Sequence, residues 1–182
     1  MIAKIKEDLE NRLFAIAKKV KISPNILTLF SILFMAVAGY EIVLGNLFFG
    51  AIFLALSGIF DLLDGTVAKA RKKETKFGMF FDRISDRICD FIIISSIFIG
   101  GYINIFLALL TIFFMYTASY ESAVLESLTK SKIGEQLSQR ALRLTILFFA
   151  LIFSQIYYGV LIVLFISIFS FFKRLHYAKT HL

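Results

Sequence analysis

Apolar residues fall into six long runs, at 26–44, 47–63, 87–101, 103–120, 144–157 and 158–172, separated by charged stretches or by very short polar breaks. Each run approaches the roughly 20 residues a helix needs to cross a bilayer core, so the pattern predicts about six transmembrane helices. Ahead of them Ile2, Ile5, Leu9, Leu13, Ile16 and Ala17 recur at helical spacing with Lys, Glu and Arg between. That arrangement predicts an amphipathic interfacial helix over 1–21 and not a signal peptide. Ser23 and Pro24 offer an N-cap and a first-turn proline to the first span. The short breaks are expected at Gly45-Asn46, Gly100 to Tyr102 and Tyr157 to Gly159. With no linker, low-complexity segment or internal repeat, the chain reads as one domain, 1–182, whose six-helix membrane part occupies 22–182.

Composition strengthens this reading. Hydrophobic residues make up 59% of the chain, including 22 Phe, against a single Pro, more apolar surface than a soluble domain of this size can hide. The basic residues then orient the spans. Six precede the first run, seven lie between the second and third, four between the fourth and fifth, and three follow the sixth, which accounts for all 20. None is left for the intervening connections, so both termini are expected on the cytoplasmic side of a cell membrane. A formal charge of +7 carried on one membrane face suits anionic headgroups or phosphorylated substrates, and nucleic acid is not expected as a partner. Cys89, the one cysteine, lies within an apolar run and reads as packing. Glu41, toward the outer end of the first span, reads as an interfacial carboxylate reaching headgroups. Tyr102, Tyr157 and Tyr158 read as interface anchors.

The chemistry lies where the second run meets the third. Asp61 and Asp64 are separated by i, i+3, and Asp82 and Asp86 by i, i+4, so each pair shares a helix face, and the short turn between makes the two helices antiparallel neighbours. An Asp at the centre of a membrane helix costs about 2.5–3.5 kcal/mol on insertion scales, and four unpaired ones on the order of 10 kcal/mol. A divalent cation compensates for this most simply, and an all-oxygen ligand set favours Mg²⁺, Mn²⁺ or Ca²⁺ over Zn²⁺ or copper. Asp61 precedes Lys69 by about 12 Å of helix, which sets the cluster just inside the cytoplasmic interface. Gly65 and Gly78 leave room for a bulky group, such as a pyrophosphate, to approach the backbone. The plainer account, salt bridging to Arg83, Arg87 and nearby lysines, serves any one of these acids better than it serves four at these intervals. Asp90, a turn beyond Asp86, extends the cluster inward.

Asp61, Asp64, Gly65, Ala68, Lys69, Gly78, Asp82 and Asp86 resemble the signature D-x2-D-G-x2-A-R-x8-G-x3-D-x3-D of the CDP-alcohol phosphatidyltransferase family. Seven of the eight fixed positions match with every interval intact, Lys69 standing where the family usually has Arg. Pro24-Asn25-Ile26-Leu27-Thr28 is similar to the Pro-Asn-x-x-Thr segment that begins the first span of many members. The resemblance implies an all-α integral membrane phosphotransferase, a homodimer, that moves the phospho-alcohol group of a CDP-alcohol, usually a CDP-linked lipid, to the hydroxyl of a small alcohol and releases CMP, with Mg²⁺ or Mn²⁺ as cofactor. It implies Asp61, Asp64, Asp82 and Asp86 as metal ligands, Asp86 also as the catalytic proton acceptor, and Asn25, Asp61, Asp64, Gly65, Ala68, Lys69, Gly78 and Asp82 around the CDP group. Lysine at 69 keeps the charge and loses the bidentate fork of arginine; Arg71, two residues on, points elsewhere on a helix.

For the acceptor, the segment from Ser119 to Glu126 and the pair Arg140 and Arg143 resemble the inositol-phosphate-using branch, although Ser122 and Val124 stand where that branch often carries basic residues. Arg140 and Arg143 lie one turn apart, so they can clamp an acceptor phosphate with Lys130 or Lys132 in support, or serve as ordinary snorkelling anchors. Glu121 and Glu126 either pair with these arginines or face the acceptor. Glycerol phosphate, serine, and a CDP-inositol donor giving a soluble product remain alternatives. From another class, a divalent-cation transporter would also place carboxylates in a membrane, but near the midplane and between repeats.

Overall fold

The computed structural model describes residues 14, 15, 17–129 and 136–181, with the side chains of all of these except 129, 136–138 and 181. It contains six long helices: α1 (Pro24–Val43), α2 (Leu47–Ala70), α3 (Lys76–Ile99), α4 (Ile105–Thr129), α5 (Gln136–Ile152) and α6 (Ile156–His181). Each helix packs mainly on two others, and these contacts close a circuit running α1, α2, α5, α6, α4, α3 and back to α1. The carboxylates of α2 and α3 and the arginines of α5 thereby come together although they are far apart in sequence.

Among the described residues, four helices are long and apolar enough to cross a membrane: Pro24–Val43, Leu47–Ala70, Ile105–Leu128 and Ile156–Thr180. Of the other two, α3 falls short because it carries much of the charged chemistry, and α5 because of its described length. α3 holds Lys76, Asp82, Arg83, Asp86, Arg87 and Asp90, and α5 has 17 residues with Arg140 and Arg143 in its first half. Met35, Ile42, Leu54, Ile93, Ile97, Met115, Leu147 and Val160 form the shared core. Phe48, Phe106, Phe165 and Phe169 point outward, each more than 60% exposed, as side chains bathed in lipid do. Several buried hydroxyls among these helices are satisfied internally. Ser31 and Ser57 exchange hydrogen bonds with each other's carbonyls at 3.0 and 2.9 Å, clasping α1 to α2. Thr111 and Ser167 donate to carbonyls one turn back.

Local signals account for the helix ends. Pro24 takes the first position of α1, but Ser23 caps it by backbone position only, without a side-chain hydrogen bond. Thr75 caps α3, its hydroxyl accepting from Gly78 N at 2.9 Å, and Asn104 accepts from Leu107 N at the start of α4. The α1–α2 and α3–α4 turns fall at the expected breaks, where Gly45 and Gly101 adopt φ of 85° and 81°, a region that penalises any side chain. The last turn differs from expectation. It lies at 153–155, where Ser154 takes φ 55°, and Gly159 is inside α6. A Cβ at Gly159 would run into the Ala150 Cβ, so that glycine serves close helix approach and not a break. Glu41 accepts from Asn46 Nδ2 at 2.9 Å across the exposed α1–α2 turn. Most of the expected interfacial helix lies outside the described residues. Its end at 17–19 is helical, with Ala17 fully buried against Leu27 and Val67, so it docks on α1 and α2.

Candidate active site

Asp61 and Asp64 lie one turn apart on α2, and Asp82 faces them from α3. One carboxylate oxygen from each lies within 4.8 Å of the others, close enough for a single divalent cation to bridge all three. Asp64 is nearly buried, 4% exposed, and accepts a 2.6 Å hydrogen bond from Thr28 Oγ1 on α1. That hydroxyl also faces Pro24 O at 3.2 Å; its one proton belongs to the shorter bond with the charged acceptor. Thr28 is thus the residue that aims Asp64. Its only signal in the sequence is membership of the Pro-Asn-x-x-Thr segment.

Asp86 stands apart from that trio and is joined to it through an arginine. Arg140 Nη1 lies 2.5 Å from both Asp61 Oδ2 and Asp86 Oδ1. Arg87 Nη2 approaches Asp86 at 3.7 Å. Asp90, one turn deeper and 1% exposed, is ringed by Arg87, Arg140 and Arg143 at 3.3, 4.0 and 3.6 Å. Asp61 Oδ1 is buried with no hydrogen-bond donor among the described residues, and a buried carboxylate oxygen of this kind is what a cation would satisfy. The donor set, all oxygen and held on rigid helices, fits Mg²⁺ or Mn²⁺. When bound, such an ion supplies positive charge to a pyrophosphate and its leaving group.

The glycines of the signature play two parts. A Cβ at Gly65 would meet nothing within 4 Å, so packing does not demand glycine there and space remains for a ligand beside Asp64. At Gly78 a Cβ would lie 3.0 Å from Thr75 Oγ1 and 3.5 Å from Asn25 Oδ1. Glycine at 78 therefore lets the start of α3 sit against its own cap and brings Asn25 to the edge of the site. Ala68 is half-buried and Lys69 exposed, on the same helix as Asp61 and Asp64. Arg71 turns away and donates to Val20 O at 3.0 Å, tying down the segment before α1.

Arg140 and Arg143 are buried, 7% and 4% exposed, so neither is an anchor snorkelling to headgroups. Lys130 and Lys132 lie outside the described residues. Glu126 pairs with Arg83. Glu121 instead lines a cavity of about 180 Å³ between α4 and α6 with Arg174, Leu125 and Leu128, and none of the α2 and α3 carboxylates borders it. Arg174, which in sequence looks like one more flanking cation, is buried and donates to Ala118 O and to Gln139 Oε1, joining α6 to α4 and α5.

A membrane-type helical bundle with carboxylates from two helices gathered beside buried arginines is the setting of metal-assisted phosphoryl transfer. The profile of the CDP-alcohol phosphatidyltransferase family matches residues 21–172, and the chain belongs to that family. Over its full length it is 32% identical to an archaetidylinositol phosphate synthase of Pyrococcus horikoshii, covering 98% of that protein. It is 36% identical over 133 residues, 72% of this chain and 67% of the relative, to an archaetidylinositol phosphate synthase of Methanothermobacter thermautotrophicus. Its fold matches that of a Mycobacterium tuberculosis phosphatidylinositol phosphate synthase solved with CDP-DAG bound, at a TM-score of 0.72 and 21% identity, covering 90% of this chain and 92% of the other. The same enzyme has been solved with manganese and citrate.

Proposed function

We propose that this protein is an inositol-phosphate-using member of its family, transferring the phosphatidyl-type group of a CDP-linked lipid to an inositol phosphate and releasing CMP. The observation that carries the acceptor assignment is the pair of buried arginines, Arg140 and Arg143, set beside the carboxylate trio on a chain that matches an archaetidylinositol phosphate synthase from end to end. Buried guanidiniums suit a substrate that brings its own phosphate; serine has none to offer.

In this reading Asp61, Asp64 and Asp82 hold the divalent cation, with Asp86 as a further ligand. Asn25, Gly65, Ala68, Lys69 and Gly78 line the CDP pocket together with Asp61, Asp64 and Asp82. The acceptor hydroxyl attacks the lipid-bearing phosphorus, the pyrophosphate P–O bond breaks, CMP leaves with its electron pair, and the hydroxyl proton passes to Asp86. Positioning and charge stabilisation carry most of the catalysis, as they do in phosphoryl transfer generally. Arg140 and Arg143, with Lys130 and Lys132, hold the acceptor phosphate. All six helices span the membrane in one 182-residue domain that works as a homodimer. Both termini and the site face the cytoplasm, which the basic residues support.

The test is CMP release by the purified full chain with Mg²⁺ or Mn²⁺, a CDP-lipid, and inositol phosphate, glycerol phosphate, serine or free inositol in turn. Release that depends on inositol phosphate is expected, and Asp82→Asn in the same assay is expected to abolish it while the protein stays folded in detergent. Release with glycerol phosphate or serine alone would overturn the acceptor assignment, and full turnover by the Asp82 variant would overturn the metal site.

A further inference from the structure

Asp90 is the most deeply buried carboxylate of the site, and neither of its oxygens accepts a hydrogen bond from the described residues. A cation ligand should face the other carboxylates, as Asp61, Asp64 and Asp82 do. Asp90 faces guanidiniums: Arg87 at 3.3 Å, Arg143 at 3.6 Å and Arg140 at 4.0 Å. These separations exceed the roughly 2.7–2.9 Å of a charge-assisted hydrogen bond, so Asp90 attracts all three arginines without consuming their donors. The donors are accordingly left over. Arg87 Nε and Nη1, Arg140 Nε and Nη2, and Arg143 Nε are all buried with no acceptor among the described residues. Buried N–H groups without acceptors are destabilising and need a reason, and a tetrahedral oxyanion with several lone pairs would satisfy them together.

The surroundings fix the same arrangement. Tyr116 on α4 donates to Arg87 O at 2.7 Å, pinning α3 where the cluster begins. Arg140 also bridges Asp61 and Asp86, so one guanidinium touches both the metal-type carboxylates and the Asp90 group.

We infer that Asp90 is a positioning residue, not a metal ligand, whose buried charge gathers Arg87, Arg140 and Arg143 into a preorganised cradle for the acceptor's phosphate. The inference rests on the acceptor reading above and adds Arg87 as a third member of that cradle. Without the central carboxylate the three guanidiniums repel one another, and each long side chain must be ordered anew when substrate binds, which weakens binding.

Full-length Asp90→Asn, Asp90→Glu and Arg143→Ala would be compared with the parent protein in CMP release and in Mn²⁺ binding followed by electron paramagnetic resonance. Asp90→Asn is expected to raise the KM for inositol phosphate by about tenfold or more, with the KM for the CDP-lipid and the Mn²⁺ affinity within about twofold of the parent. Asp90→Glu, which keeps the charge, is expected to recover most of that loss, and it carries the test if Asp90→Asn does not fold. Asp90→Glu with the acceptor KM raised as far as in a charge-free variant, or a loss of Mn²⁺ affinity at an unchanged acceptor KM, would overturn the inference. Arg143→Ala separates the two layers: a raised acceptor KM there with no change in either Asp90 variant rejects the positioning role alone, whereas no change in Arg143→Ala rejects the acceptor reading beneath it.

Discussion

Thr28 links the first span to the chemistry of the second through one hydrogen bond, 2.6 Å to Asp64 Oδ2. Valine has nearly the same shape but no hydroxyl, so Thr28→Val leaves a buried carboxylate oxygen without its donor and free to turn. Hydrogen bonds to charged groups contribute about 1.5–3 kcal/mol, one to two decades in an equilibrium constant. Thr28→Val is therefore expected to raise the Mn²⁺ concentration for half-maximal CMP release by about tenfold, with the helical circular dichroism unchanged. An unaltered Mn²⁺ requirement would mean that another group orients Asp64. At this scale the sequence was legible where spacing on one helix decides the matter. Asp61 with Asp64, and Asp82 with Asp86, share faces because helical geometry requires it. Spacing could not show that Arg140 would lie between Asp61 and Asp86, since 79 and 54 residues separate it from them.

At the level of elements, α5 carries Arg140 and Arg143, the arginines proposed to hold the acceptor, and its position depends on how closely α6 approaches. Gly159 permits that approach, because a Cβ there would overlap Ala150. Gly159→Val adds that Cβ and two methyl groups to a filled contact, and overpacking of this kind costs about 1–3 kcal/mol. The variant is expected to melt at a lower temperature in detergent and, because α5 must shift, to show a higher KM for the phosphorylated acceptor at an unchanged KM for the CDP-lipid. Equal effects on both substrates would indicate general loosening instead. Gly159 also marks where the expected boundary is misplaced. Tyr157 to Gly159 reads as a pause, but the turn sits at 153–155, where the polar pair Ser154-Gln155 interrupts the apolar stretch and Ser154 adopts the left-handed conformation.

For the whole molecule, closure of the six helices into a circuit gathers the carboxylates of α2 and α3 and the arginines of α3 and α5 around one site. The predicted orientation puts the α2–α3 turn on the cytoplasmic side and the α5–α6 turn on the other. Cys89 is fully buried, so single cysteines at exposed Lys73 and Tyr158 can be read against a silent background. Lys73→Cys is expected to react with a membrane-impermeant thiol reagent only in inside-out vesicles, and Tyr158→Cys only in right-side-out ones; labelling from the same side would reject the topology. The sequence by itself determined the membrane-type all-helical class, the helices near their observed places, the carboxylate signature and the family, because hydropathy and helical periodicity are local and act within one or two turns. Only the tertiary structure decided that Thr28 aims Asp64, that Arg140 and Arg143 are buried partners of the acids, and that Asp90 faces arginines instead of joining the carboxylate trio. Those relations join helices distant in the chain, and burial and charge pairing across such an interface depend on how the helices pack, which no single segment encodes.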